Sequence, residues 1–583
     1  MTKTPLTVAE ATEQLTAPGG IFEMETVEIR GLATRTYKHC PANLRVVLDL
    51  SLGHADRDFL VYEGERVTFE QHYRMASTMA ARLVDLGVGA GDRVALAMRN
   101  LPEWVVGFWS GITAGGVAVP LNAWWTGEEL AYGLSDSGSR VVFCDVERFG
   151  RIEPYLADLD FLTDIIVVAE DRATTPAVPS VIGRVRVHLF KDLLGDVAPD
   201  AVPPQVEVDP DDDATIFYTS GTTGRPKGAV GTHRNACTNL MNMFFIAQRG
   251  QLRYGDDLLD ADRPQNSFLL SVPLFHATGC LATMVVNTAA GGKLVMLHHF
   301  DPDRALQLIE SERITSFGGV PTMVMQILDS PRLPSTDTSS VRGVSYGGAP
   351  APPELVKRIR ESFPGCQPGN GYGMTETSAA VSMNTGPDYV ARPDSVGPTV
   401  PVSDIAIVPE DYEGHDPGPE LPSGPGVVGE LWVRGPQVVR GYWNRPEETA
   451  LVFTNGWVHT GDVARIDDEG FIYIVDRAKD VIIRGGENVY SVEVEAAIFE
   501  HPDVADCAVV GVPHPTLGEE VGAIIVPRPG HTVDEESLRH HVGTRLAHFS
   551  VPTRFWFRDE VLPRNPAGKV LKRQLRDEVL ERS

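Results

Sequence analysis

The 583-residue chain has no long hydrophobic run. Its most apolar stretch, Trp104 to Leu121, is broken by Gly107, Gly111, Gly115, Gly116 and Pro120. A membrane span needs roughly 20 continuous apolar residues, so the stretch reads as a buried helix followed by a buried strand. The N-terminus lacks the apolar centre of a secretory signal. Closely spaced cysteines are missing as well. Cys40, Cys144, Cys237, Cys280, Cys366 and Cys507 lie far apart, which excludes a CxxC metal or redox motif. Such thiols suit buried positions in a reducing compartment. The expectation is a cytoplasmic protein without integral membrane association. A cationic excess is also absent: 51 Lys and Arg face 79 Asp and Glu, for a net charge of −28. That excludes a broad surface gripping nucleic-acid phosphates. It leaves room for a small nucleotide site, which needs only local donors and a metal. No internal repeat or heptad run is visible.

The chain is too long for one ordinary core, so at least two domains are expected. Helical periodicity alternates with short apolar runs. Phe69 to Leu86 reads as a helix with Met75, Met79, Ala80 and Leu83 on one face. Arg93 to Met98, Val117 to Pro120 and Arg140 to Cys144 read as buried strands, with a helix from Trp104 to Ala114 between the first two. This alternation predicts an α/β fold, with a large N-terminal domain of layered, largely parallel sheets and helices. The segments 178–213 and 410–426 read as surface connections. A strand from Phe471 to Val475 ends at a charged turn, and a new strand starts at Val481. The boundary is therefore expected there, giving a large unit of residues 1–478 and a small α+β unit of residues 479–583. Thr7 and Glu10 have the spacing of a capping box. The first 50 residues carry no functional motif.

The strongest chemical signal is Tyr218-Thr-Ser-Gly-Thr-Thr-Gly-Arg-Pro-Lys-Gly228, directly after an apolar strand. Its glycines let the backbone approach a ligand closely. The hydroxyls of Thr219, Ser220, Thr222 and Thr223 offer neutral donors, and Lys227 adds a positive charge. Together these suit polyphosphate oxygens. The spacing is not that of a Walker loop. The segment resembles the phosphate loop of the adenylate-forming superfamily: acyl-CoA synthetases, adenylation domains and firefly luciferase. Five further segments follow in the family's order, and the chain is most like a bacterial-type fatty acyl-CoA ligase.

The resemblance implies roles residue by residue. Thr219, Ser220, Gly221, Thr222, Thr223, Gly224 and Lys227 would hold ATP phosphates. Ser345 to Pro350 would form part of the adenine pocket, through Gly348, Ala349 and Pro350, and the floor of the acyl site. In Asn370-Gly-Tyr-Gly-Met-Thr-Glu376, read as a Gly-rich turn, Asn370, Gly371, Tyr372, Gly373 and Met374 would line the nucleotide, with Tyr372 against the adenine. Thr375 would contact the α-phosphate, and Glu376 with Thr219 would hold Mg²⁺. Asp462 of Thr460-Gly-Asp462 and Arg477 would contact the ribose. Lys479 would be the hinge between the two units. Gly485 and Gly486, able to adopt positive φ, would line the pantetheine path of coenzyme A. Lys569 of Pro563-Arg-Asn-Pro-Ala-Gly-Lys569 would be the adenylation lysine, and His276 an acyl-pocket or gating residue. The segment Gly343-Val-Ser-Tyr-Gly347 also matches GxSxG, but the glycines and prolines after Ser345 oppose the helix that a nucleophile elbow requires. His298-His299 and His540-His541 lack metal-site spacing.

The implied reaction joins a small carboxylic acid to ATP as an acyl-adenylate, then passes the acyl group to a thiol. CoA is the expected acceptor, with a carrier protein or an amine as the alternative. A medium- or long-chain fatty acid is the expected substrate, with an aryl or alicyclic acid as the alternative. A homodimer is compatible with the sequence. Removing one preorganised donor to a transition state costs about 10²–10³ in rate. Lys569→Ala is therefore expected to lose acid-dependent ATP–pyrophosphate exchange by at least that factor. It should keep thioester formation from supplied acyl-adenylate, and measuring the two half-reactions separately checks this.

Overall fold

The computed structural model describes every residue except 1–4, 170–175, 220–224, 256–263, 349–352, 411, 419–420, 422–423, 565–568 and 582–583. Short β-branched runs form two eight-stranded sheets. The first runs in the order Lys227–Thr232, Asp213–Thr219, Val117–Pro120, Arg93–Ala97, Val141–Asp145, Asp164–Val168, Val185–Leu189 and Val181–Ile182. The second runs Ala379–Thr385, Gln367–Met374, Gly343–Gly347, Ser316–Gly319, Ser267–Leu270, Lys293–Met296, Asp58–Tyr62 and Glu65–Thr68. In each, the inner strands are parallel and a hairpin closes each edge. All five residues of Val141–Asp145 and of Asp164–Val168 are buried, as parallel strands covered on both faces require.

Helices Phe69–Asp85 and Pro102–Thr113 pack in the core that the two sheets share, where Leu96 of the first sheet joins Leu60, Leu270 and Met296 of the second. Thr68 caps the first helix in a capping box with Gln71. The second is apolar all round, and Trp104 and Trp109 are fully buried. Gly107 keeps it close to the sheet: a Cβ there would come 2.9 Å from the Leu96 side chain.

A third, six-stranded sheet is antiparallel and includes Gly429–Arg434, Trp457–Ile466 and Phe471–Arg477. A five-stranded sheet follows, built on the long pair Val504–His514 and Gly518–Pro527. Helices Ser491–Phe499 and Glu535–Gly543 share one of its cores, and helix Lys572–Glu581 contributes Leu575 and Val579 to another. The layered α/β architecture expected from the alternation is thus present.

The N-terminal residues are part of this packing. Thr7 and Glu10 form the capping box of helix Val8–Leu15. Hairpin Met24–Ile29 and Leu32–Tyr37 follows. Phe22 and Tyr37 enclose Phe245 of helix His233–Tyr254, and the Tyr37 hydroxyl donates to Asn242 Oδ1 at 3.0 Å.

Two sequence expectations need correction. The stretch 178–213 is not simply a surface connection, because Val185–Leu189 joins the first sheet in parallel with Asp164–Val168. Its alternation buries Val185 and Val187, but five residues amid Pro and Asp give a weak periodic signal. The segment 370–374 is strand rather than turn. Its glycines serve close interstrand approach: a Cβ on Gly373 would fall 1.5 Å from the Ala379 carbonyl oxygen. The turn comes afterwards, with φ of 52° at Ser378 and 93° at Ala379. Among the described residues no helix is long and apolar enough to cross a membrane.

Candidate active site

Strands Ser316–Gly319, Gly343–Gly347 and Gln367–Met374 are parallel neighbours and end together. Ligands bind outside such carboxyl ends in open α/β sheets. Immediately beyond the last of them, Glu376 is buried at 6% exposure. Burial pushes its carboxyl above the ordinary value, while a hydrogen bond from Tyr442 opposes that shift. The Tyr442 hydroxyl donates to Glu376 Oε1 at 2.7 Å, and Lys227 Nζ lies 5.5 Å from the Tyr442 ring centroid. Tyr442 therefore joins the acid expected to hold a metal to the lysine expected to hold phosphates. Sequence reasoning misses it. Its partner lies 66 residues away, and a tyrosine after Gly441 has no local pattern to mark it.

Several contacts fix the loop that carries Tyr442. Val439 N donates to the Glu376 carbonyl at 2.9 Å. Arg30, at the tip of the N-terminal hairpin, donates to the carbonyls of Val438 and Val439, both at 3.0 Å. On the other side, Asp136 accepts from Arg445 at 2.6 Å and from the Tyr218 hydroxyl at 2.8 Å. Trp443 Nε1 donates to the Asp136 carbonyl at 3.0 Å. Asp136 thus ties the Tyr442 loop to the strand that leads into the phosphate loop. Within that loop, Ser220, Gly221, Thr222, Thr223 and Gly224 lie outside the described residues, as do Ala349 and Pro350. Its two ends pair in register, Thr219 against Lys227.

A second cluster is centred on Asp462. The sequence Thr460-Gly-Asp462 sits inside strand Trp457–Ile466. Asp462 Oδ2 accepts from the Tyr372 hydroxyl at 2.7 Å, and Oδ1 from Arg477 Nε at 2.7 Å. Burial holds the Tyr372 hydroxyl well above its ordinary value, so it remains a donor. Lys569 reaches this cluster from the C-terminal segment. Burial lowers its ammonium from 10.5 to about 8; Arg477 and Lys479 add to that, and Asp462 and Asp480 oppose it. The charges of Asp462 and Arg477 are also felt at Glu376, so the two clusters belong to one site.

Other expected residues sit apart. Asn370 is buried beside Tyr389, whose hydroxyl lies 2.7 Å from that of Tyr346. It thus faces the core behind the strand. Lys479 is exposed. Gly485 and Gly486 form the two-residue turn of hairpin Ile482–Arg484 and Glu487–Val489, with φ of 63° and 90°. This is the positive-φ pair that a type I′ turn needs. His276 rests against Phe275 with centroids 4.7 Å apart, and its Nε2 is buried without a partner among the described residues. Burial lowers its imidazole to about 4, so it is neutral at pH 7. It precedes a π-helical segment, Thr278–Val285, a geometry frequent at functional sites. Ser345 lies in a strand, and the next helix starts at Glu354, so it is no nucleophile elbow.

No cluster of three or more His, Cys, Asp or Glu able to hold a metal occurs among the described residues. One buried carboxylate, Glu376, with a side-chain hydrogen bond from Tyr442 fits a Mg²⁺ ion, which keeps several waters and shares the oxygens of a substrate phosphate. It does not fit a site closed by protein ligands alone.

Residues 51–443 match the family of AMP-binding enzymes, and residues 493–569 match the AMP-binding enzyme C-terminal domain. A feruloyl-CoA synthase of an Amycolatopsis species is 36% identical over 518 residues, covering 88% of this chain and 94% of that protein. A long-chain-fatty-acid–CoA ligase of Bacillus subtilis is 34% identical over 555 residues, covering 92% and 94%. The crystal structure of ATP-bound MatB from Rhodopseudomonas palustris superimposes with a TM-score of 0.77 at 32% identity, covering 92% of this chain and 98% of that one.

Two outcomes follow from the geometry. Lys569 carries its charge only below its titration point, which burial sets near 8. The kcat/KM for ATP in pyrophosphate exchange should therefore fall as pH rises through about 8. In Lys569→Arg the residual activity should lack that limb, because a guanidinium stays charged. Tyr442→Phe removes the donor to Glu376, a hydrogen bond to a charged group worth about 1.5–3 kcal/mol. The same kcat/KM should drop by about tenfold to a hundredfold, with its acidic limb moved to higher pH, measured at saturating magnesium.

Proposed function

The chain belongs to the family of AMP-binding enzymes, and from that premise we propose that it activates a medium- or long-chain fatty acid for transfer to coenzyme A. The broader activity is that of an AMP-forming acid–CoA ligase working through an acyl-adenylate. The observation that carries the reading is that Lys569, buried, feels the charges of the paired Asp462 and Arg477. It brings a lysine from the end of the chain to the carboxylate suited to the two ribose hydroxyls.

In the first half-reaction a carboxylate oxygen of the fatty acid attacks the α-phosphorus of ATP in line. The bond to the bridging oxygen breaks, and pyrophosphate leaves with the electron pair. Lys227 and Lys569 stabilise the charge that builds on the phosphoryl oxygens, with Thr375 as a further donor. Asp462 fixes the ribose once Tyr372 and Arg477 have set its orientation. Glu376 and Thr219 would hold Mg²⁺, which supplies further positive charge to the phosphates. In the second half-reaction the sulfur of CoA attacks the acyl carbon, AMP leaves with the electron pair, and the thiol proton passes to solvent. In this reading Lys569 and the thiol need the same space at different steps. We therefore read residues 1–478 and 479–583 as two units that reorient about Lys479, with the Gly485-Gly486 turn then beside the pantetheine arm.

The choice of a fatty acid rests on the segments that the family resemblance assigns to the acyl site together with His276. Gly318, Gly319, Val320, Pro321, Thr322 and Gly347 bear no charge, so nothing among them would pair with a second acidic group. The Bacillus relative supports the same choice, whereas the feruloyl-CoA synthase favours an aryl acid as the second reading. The reading includes a cytoplasmic location and admits a homodimer. Pyrophosphate release should be measured with fatty acids of graded length and with cinnamic-type acids. Mass spectrometry of the product, with and without CoA, completes the test. An acyl-AMP without CoA and an acyl-CoA with it, strongest for chains of roughly eight carbons or more, are expected. Preference for the aryl acids would replace the fatty acid reading. Release of pyrophosphate with no acid at all would overturn the reading as a whole.

A further inference from the structure

Asp476 is the next-to-last residue of strand Phe471–Arg477 of the six-stranded sheet and is 1% exposed. Its hydrogen-bond partners include groups from beyond Lys479. Ser491 N donates to one carboxylate oxygen, and Ser491 Oγ lies 3.1 Å from the other. Lys572 Nζ donates to Ser491 Oγ at 2.7 Å and pairs with Glu495 Oε1 at 2.8 Å. Glu495 Oε1 also accepts from Val509 N at 2.8 Å. Ser491 is fully buried, and the Lys572 and Glu495 side chains are 18% and 14% exposed. The serine hydroxyl is therefore a relay: it accepts from the lysine and donates to the aspartate.

Lys572 and Glu495 complete one another within the C-terminal unit. Asp476 is different, because it precedes Lys479 while Ser491, Glu495 and Lys572 follow it. Its charge has these partners only while the C-terminal unit keeps the orientation seen here. Lys572 is three residues from Lys569, so whatever seats Lys572 also seats Lys569. From this geometry we infer that Asp476, Ser491 and Lys572 form a latch across the hinge that holds Lys569 against Asp462 and Arg477 for adenylation and must open before thioester formation. The inference rests on the proposed two-step reaction. It assigns Asp476, Ser491 and Lys572 as positioning residues, since none of them is argued to touch the reacting atoms. A buried carboxylate stripped of its donors is unfavourable, but turning the unit exposes Asp476 to water, which replaces them. The latch can therefore hold one orientation without forbidding the other.

The test is Asp476→Asn and Ser491→Ala in the full-length enzyme, with the two half-reactions assayed separately. The first assay is acid-dependent ATP–pyrophosphate exchange, and the second is thioester formation from supplied acyl-adenylate and CoA. Exchange is expected to fall at least tenfold in each variant, while thioester formation stays within twofold of wild type or rises. A purely structural role would lower both reactions together and lower the thermal midpoint in step. Equal loss in both assays, or no loss in either, would overturn the latch. Should Asp476→Asn fail to fold, Ser491→Ala leaves every charge in place and tests the latch by the same two assays. A wild-type enzyme inactive in both assays would instead refute the proposed reaction. An active wild type whose variants show no split refutes the latch alone.

Discussion

Asp462 is the carboxylate on which the site depends. Its two oxygens are taken by Tyr372 and Arg477, each at 2.7 Å, and Lys569 feels its charge. A carboxylate that is 5% exposed needs such donors, because burying a charge without partners is costly. The donors come from a strand of the second sheet and from the strand leading to Lys479, and the C-terminal segment adds the charge of Lys569. One buried charge therefore brings together parts of the chain that share no local sequence. The pairing also leaves Asp462 aimed and largely dehydrated, a preorganised state that suits the ribose contact proposed for it.

Glu376 follows the same logic with one donor instead of two. Tyr442 holds one of its oxygens with its hydroxyl. The loop behind Tyr442 is tied down by Arg30 from the N-terminal hairpin and by Asp136 through Trp443 and Arg445. These supports are backbone carbonyls and a charged pair, both short and directional. Through Arg30 the first 50 residues are tied into this support.

Overall charge and local charge point in opposite directions. The chain carries a net −28, yet Lys227, Arg477 and Lys569 are gathered around two carboxylates. A uniformly cationic surface would attract polyanions in general. A few cations placed at fixed points in a partly dry site act on one phosphate chain, and at low local dielectric each is worth more than at the surface.

The chain order of the motifs, the α/β alternation and the capping signals are local properties, so they were legible in the sequence. The Gly485-Gly486 turn was legible for the same reason, since backbone freedom is a property of residue type. The strand at Val185–Leu189 was not, because five residues without a strong period gain their structure from the neighbouring strand. Nor was the strand character of residues 370–374, whose glycines are needed for contact with Ala379 rather than for turning. Tyr442, Asp136 and Arg30 bear on the site only through partners 66 to more than 400 residues away. So does the seam at Asp476. Sequence by itself determined which reactive groups exist and in what order. The tertiary structure alone decided which carboxylates are buried, which donors meet them and where Lys569 points, because burial and electrostatic proximity exist only once distant segments pack.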